Sequence, residues 1–404
     1  MRQSILILFL VLILLVDCAG AKSIDDYLIL LDEHPSIKSV LQEKEALEFQ
    51  ADGALGLPDP ILSLGVENIP ISDPSFDQYL PSSKTIGFSQ NIPNPTQRRA
   101  QKGVFNQSAK VQQLLAEYSK SRLYAVFHSK LAESERIEEQ LVIEEQKKQV
   151  IEDLKQFYQG EVFAGEPVFQ KTFAIELELS EVEKRINDLQ AEKRVVEAKF
   201  IQLVGEIPDL ADIKHHEKLW SGATDSLYPV LLAEQNTLIA DERIKVLDAE
   251  FKPDFSVAAT YKNREEGQND SFDGDDWFSL QVRMTIPLWA SSSQEPKLAS
   301  ARSRKRSALY DLEDVRRSWK MQMASIESKK DASHNNIAIL SKKKISLDQS
   351  IDALQSTYAS GQTSLEMNLL TELSRLSLLA RIAKEKEIYI RSLQEANAHI
   401  HRGN

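Results

Sequence analysis

Leu62-Ser63-Leu64-Gly65-Val66-Glu67 and Ile86-Gly87-Phe88-Ser89-Gln90-Asn91-Ile92 alternate apolar residues with small or polar ones. Far down the chain, Phe255-Ser256-Val257-Ala258-Ala259-Thr260-Tyr261 and Phe278-Ser279-Leu280-Gln281-Val282-Arg283-Met284-Thr285-Ile286 repeat the pattern. Successive side chains of a strand point to opposite faces, so each segment presents one apolar face and one wet face. A strand of a membrane β-barrel needs that division, with lipid outside and water within. The alternation therefore predicts two strand pairs, over residues 60–93 and 253–288. It puts Leu64, Phe88, Val257 and Val282 toward lipid. Ser63, Ser89, Ser256 and Gln281 face the lumen, with Glu67 and Arg283 as the charges of the wet faces.

Working outward, the two pairs sit in equivalent surroundings. His34-Pro35 opens a helical run that ends at Pro58-Asp59, and Tyr228-Pro229 opens one that ends at Pro253-Asp254. Ile92-Pro93 closes one pair as Ile286-Pro287 closes the other, and Gly165 corresponds to Gly361. The offset is about 195 residues throughout, far longer than any solenoid period, which predicts a duplicated half-molecule. The predicted repeats are 22–214 and 215–404, each running helix, strand pair, long helix, turn, helix.

Residues 1–21 read as a signal peptide, with Arg2, an apolar stretch from Ile5 to Val16, and Ala19-Gly20-Ala21 as a small-residue cleavage site. Cys18, the only cysteine, leaves a lipid-modified start open, although Asp17 stands where a small residue is usual. Either way no intramolecular disulfide can form.

Glycine and proline number 14 each in 404 residues and gather around the proposed strands and turns. The spans 96–159 and 297–360 contain no proline and one glycine, Gly103. Unbroken, such helices would run roughly 90 to 100 Å. Ile143, Val150 and Leu154 in a Glu, Gln and Lys background form the buried seam of a coiled-coil-like helix. The fold class is thus mainly α with a small β part. The connections 70–83 and 262–276 are long and polar, as barrels place on the outer side of the cell.

A net charge of −12 argues against nucleic acid as a partner. The basic clusters Arg98-Arg99 and 302–306 follow strand pairs, where they suit anionic headgroups or simply begin a solvated helix. No enzyme, cofactor or metal site is expected. His215-His216-Glu217-Lys218-Leu219-Trp220 lacks the second histidine of the zinc-protease helix motif. His399 and His401, two apart, point to different sides of a helix. Met321 and Met323 read as packing residues. Neither a phosphate-binding glycine loop nor a nucleophile elbow is present.

Four strands cannot close a pore, since the smallest membrane barrels have about eight. Open edges are not tolerated in lipid, so several chains must share one barrel. Two chains would give an eight-stranded barrel filled by its own side chains, whereas three give a water-filled one of twelve strands.

The segments 57–68, 84–93, 251–257 and 278–289, in this order and duplication, resemble the TolC-like outer-membrane efflux proteins over nearly the whole mature chain. The stretch 358–370 resembles the second helix-to-helix turn of that family, and 163–169 a divergent first one. The residues after the strand-ending Ile-Pro depart from it, Asn94-Pro95 in one half and Leu288-Trp289 in the other. The resemblance implies a homotrimer in the outer membrane, with a shared twelve-stranded barrel among outer-membrane lipid and a helical tunnel across the periplasm. It implies a passive exit duct, docked to a periplasmic adaptor protein and an inner-membrane pump of the resistance-nodulation-division type. The first strand pair looks most like members that serve metal- or cation-exporting pumps. Gly165, Glu166, Gly361, Gln362 and Thr363 would form the periplasmic tip that meets the adaptor. The alternative is an exported periplasmic coiled-coil scaffold or adaptor.

Overall fold

The computed structural model describes residues 22–165, 167–209 and 213–401. The proposed signal peptide and Cys18 lie outside the described residues, as does Glu166. In chain order the elements are α1 Ile24–Asp32, α2 Pro35–Gly53, β1 Ile61–Glu67, β2 Ser83–Ile92, α3 Pro95–Phe163, α4 Phe169–Val204, α5 Tyr228–Ala249, β3 Phe255–Asn263, β4 Trp277–Met284, α6 Gln294–Ala359 and α7 Leu365–His399. A single 3-10 turn, Gln268–Asp270, interrupts the connection between β3 and β4.

The order helix, strand, strand, long helix, shorter helix occurs in each half of the chain. The long helices have 69 and 66 residues and the shorter ones 36 and 35, so equivalent elements match in length. Of these four helices α3 begins with a proline, where a missing N–H costs nothing. Pro95 opens α3 behind Asn94, whose side chain accepts the Thr96 N–H at 2.8 Å. Asn94 also donates to the Ala249 carbonyl, and its own N–H reaches Asp254. The junction at which the sequence departs from the family pattern is thus a cap that ties α3 to the end of α5.

Compactness divides the chain into two units that cut across the sequence halves. One holds the chain up to Lys38, Ala116–Tyr228 and the part from Ser318 on; the other holds Ser39–Leu115 and Pro229–Arg317. The first is all helix and irregular chain. Its largest core joins α1, α3 and α4 through Tyr27, Leu31, Phe127, Leu131, Ile137, Val196, Phe200 and Leu203. Farther along the α3–α4 hairpin, Ile151, Leu154 and Tyr158 pack on Ile175, Val182 and Ile186, with Leu369 and Leu373 of α7 against them. Of the seam residues Leu154 is fully buried and Ile143 nearly so, while Val150 is half-buried; Met323 is fully buried too, whereas Met321 is exposed, so only one of the two methionines is a packing residue.

The second unit contains the sheet. Its order is β1-β2-β3-β4, antiparallel throughout, so the two strand pairs are fused through β2 and β3. β1 and β4 are its free edges. Among the described residues no helix is long and apolar enough to cross a membrane.

Candidate functional site

The register decides which side chains share a face. Leu62 lies opposite Phe88, Leu64 opposite Ile86, Phe88 opposite Ala259, Val257 opposite Val282, and Tyr261 opposite Phe278. Paired residues project to the same side, so Leu62, Leu64, Val66, Ile86, Phe88, Val257, Leu280 and Val282 make one continuous apolar surface. It is bare: Leu64 is 74 % exposed, Val282 66 % and Phe88 50 %. An uncovered apolar sheet of this extent is not a surface a soluble monomer presents to water.

The opposite face carries Ser63, Glu67, Ser89, Ser256, Gln281 and Arg283, all six of the residues expected toward a lumen. Arg283 donates to Gln281 through Nε and Nη2, at 3.1 and 2.7 Å. Glu67 is not a free charge, because Lys262 forms an ion pair with it. The sequence placed Lys262 in the loop; β3 runs two residues further, to Asn263, and carries it onto the wet face. At the other end β4 stops at Met284, short of Ile286.

The two long connections meet beyond the Tyr261–Phe278 end of the sheet. The Arg264 guanidinium donates to the Leu80 carbonyl at 3.1 Å and stacks 4.0 Å over the Trp277 ring. Gln268 bonds to Asp77 through both backbone and side chain.

In the helical unit, the described residues expected at the tip, Gly165, Gly361, Gln362 and Thr363, lie just past the ends of α3 and α6. Gly361 has φ 73° and Gly165 has φ 90°. The Gly361 N–H donates to the Tyr358 carbonyl and the Gln362 N–H to that of Thr357, both at 2.9 Å. Together these bonds make a Schellman cap on α6, which needs a left-handed residue and so favours glycine. The Gly165 N–H makes the equivalent bond to Val162 at the end of α3. Thr363 bonds through its hydroxyl to Thr357 at 2.8 Å, and Ser364 caps α7.

One contact couples the two turns, and sequence reasoning missed it. Glu366, in the first turn of α7, accepts from Tyr158 of α3 at 2.7 Å and from Lys171 of α4 at 2.9 Å. The hydrogen bonds from Lys171 and Tyr158 hold the Glu366 carboxyl below its usual range, and Glu366 in turn raises the ammonium of Lys171. Spacing offers no signal for a link between residues so far apart in the chain.

A second feature of this unit lies in residues 213–221, which carry the zinc-protease near-miss. They are irregular chain and not helix, so the motif's geometry does not arise. The Asn397 side chain clips this strap to α7, donating to the His216 carbonyl and accepting the Lys218 N–H, both at 2.7 Å. Lys218 Nζ reaches the carbonyls of Asn397 and Ile400. His215 meets His128 of α3 edge to face, with ring centroids 5.4 Å apart. Burial, then His215 and His216, push His128 down to about 4, and burial lowers His215 as well. His399 packs on Trp319 at 4.4 Å, bonds to the Tyr118 hydroxyl, and is lowered to about 4 by burial and Arg122. No cluster of three or more metal-ligating side chains occurs among the described residues.

No family model matches the sequence, and no curated protein does. Solved structures match over almost the whole chain. The outer membrane protein VceC of Vibrio cholerae superposes with a TM-score of 0.73 at 14% identity, covering 93% of this chain and 96% of that one. CusC, described for its folding and transmembrane channel formation, gives 0.72 at 14% identity and 95% of both chains. The open state of the MtrE outer membrane channel of Neisseria gonorrhoeae gives 0.73 at 14% identity, with 92% and 87% coverage. The fold is that of the TolC-like outer-membrane channels.

Proposed function

We propose that the chain is one third of an outer-membrane exit duct, the passive last stage of a tripartite export system. The observation that carries this reading is the sheet, which has one bare apolar face, one wet face and two free edges. Lipid is the solvent that such an apolar face suits. Free edges in lipid leave backbone groups unsatisfied, so β1 of one copy pairs with β4 of the next until the barrel closes. Three copies give twelve strands and a lumen. Tyr261 and Phe278 at the loop end of the apolar face, with Phe255 and the exposed Trp289 near the helical end, fit the aromatic girdles of such a barrel.

The recurring element order and helix lengths support descent of the two halves from one duplicated unit, with 22–214 and 215–404 as the repeats after removal of a signal peptide. In the proposed arrangement the turns at Gly165 and Gly361 face the periplasm and meet an adaptor, which links the duct to an inner-membrane pump of the resistance-nodulation-division type. Gln362 and Thr363 are small or polar, as suits a contact that forms without burying a large apolar patch. The cargo we propose is a metal cation, on the likeness of the first strand pair to cation-exporting members. As a duct it performs no chemistry, and pore width and lining charge set what passes.

Fractionation tests this reading. The protein should appear in the outer membrane as a detergent-requiring trimer whose electrophoretic mobility changes on heating. A soluble periplasmic monomer would sink it in favour of a scaffold or adaptor. Deleting the gene and challenging cells with metals, dyes and drugs tests the cargo, and hypersensitivity confined to drugs would exclude metal cations.

A further inference from the structure

Within the sheet-bearing unit, α2, α3, α5 and α6 enclose an open groove of about 1040 Å³. Its walls are largely apolar, with Val104 and Phe105 from α3 and Ile239 and Val246 from α5. Two guanidinium groups also line it, Arg243 of α5 and Arg304 of α6.

The ion pairs between these two helices fix where the arginines stand. Lys305 pairs with Asp241 at 2.6 Å and Lys297 with Glu250, one residue past α5, at 2.9 Å, so α5 and α6 run antiparallel. That register sets Arg304 level with Arg243, while the positions beside and about two turns away hold matched opposite charges. Neither arginine has an acidic partner among the described residues. Like charges at one level repel, and an oxyanion between them reverses the sign of that interaction. The planar guanidinium fork suits carboxylate, sulfate or phosphate oxygens.

We propose that this groove binds an anionic amphiphile, with its alkyl body on the apolar wall and its oxyanion head between Arg243 and Arg304. The site stands on these side chains alone and does not depend on the channel reading. Two exposed cations without an acidic partner beside an apolar wall favour a ligand that carries both an alkyl body and an anionic head, and a second copy of the chain is one outcome of the test.

The test uses the full-length protein in a neutral detergent and a twelve-carbon carboxylic acid with a mid-chain diazirine as photoprobe. Peptide mapping should place the label at Val104, Phe105, Ile239 or Val246. Dodecanoate should compete about tenfold better than dodecanol, which shares the chain but lacks the charge. The double variant Arg243→Gln/Arg304→Gln should lose labelling by about tenfold, and Arg243→Lys/Arg304→Lys should keep most of it. Equal competition by the alcohol, label confined to the strands, or labelling unchanged in the glutamine variant would each overturn the proposal. Loss of oligomers in the glutamine variant with retention in the lysine variant would reassign the arginines to a contact between copies, and failure of both to fold would make them structural.

Discussion

His128 and His215 are neutral because their surroundings exclude water, and the cost of charging them gives the helical unit a pH dependence. The folded chain binds a proton at His128 more weakly than the unfolded chain does. Between about pH 4 and 6.5 the unfolded state therefore carries more protons, and stability rises with pH across that window. The contribution is whole above about pH 6.5 and is lost as pH falls to about 4, with a ceiling of about 3 kcal/mol for His128. In the strap His215 is followed by His216, Glu217 and Lys218, and Glu217 is held by Lys330. His128→Phe should lessen the slope of the stability curve between pH 4 and 6.5, with His215 and His399 keeping their share, read by denaturant melts and by amide exchange of 213–220; an unchanged slope would place the titration elsewhere. At Gly361 the constraint is conformational. Nothing lies within 4 Å of an added Cβ, so Gly361→Val acts through φ alone, at a cost of about 1–2 kcal/mol. Trimers should survive this change while export falls, and crosslinking from Gln362 to the adaptor should separate lost docking from a jammed opening. Normal export would remove the turn from the docking surface. On the wet face, Glu67→Gln strands the Lys262 cation and should lower the cation-to-anion permeability ratio in planar bilayers, whereas Lys262→Gln should raise it. Identical ratios in both variants would put the pair outside the conducting path.

At the scale of the element, β4 gives the sharpest contrast because neighbouring residues meet different media. Val282→Arg should cost about 2 to 4 kcal/mol at mid-bilayer and Gln281→Arg far less, measured as trimer yield in membranes. Equal yields would mean that the apolar face is not against lipid. This division was legible in the sequence because a period of two leaves only one way to sort Phe278, Leu280, Val282 and Met284 from Ser279, Gln281 and Arg283. The long helices were legible for the same kind of reason, since the near-absence of glycine and proline over 96–159 and 297–360 left nothing to stop them. What the sequence hid was pairing at a distance. Nothing local joins β2 to β3, and Lys262 looked like the first residue of a polar loop because its partner Glu67 stands in another strand. Glu366, in the first turn of α7, likewise finds its partners far along the chain, in α3 and α4. Periodicity reports which face is wet; it does not report which wet residues meet.

For the whole molecule, the sheet ends in β1 and β4, and neither has a strand on its outer side among the described residues. In the trimer we propose, every seam of the barrel is a strand of one copy against a strand of another, and none is closed within a chain. Breaking the β1 strand, for example by Leu64→Pro, which removes one backbone donor, should therefore abolish trimers outright and leave no partly closed pore, since proline cannot donate to the ladder. Heat-modifiable trimers persisting in that variant would mean that β1 does not form a seam. The same edges carry a genetic consequence. A cell making equal amounts of intact and edge-damaged chains assembles them at random, and only about one trimer in eight is wholly intact. One bad copy spoils the ring it enters, so a defective allele should be dominant over a normal one carried beside it, and losing one of two gene copies should be milder than corrupting it.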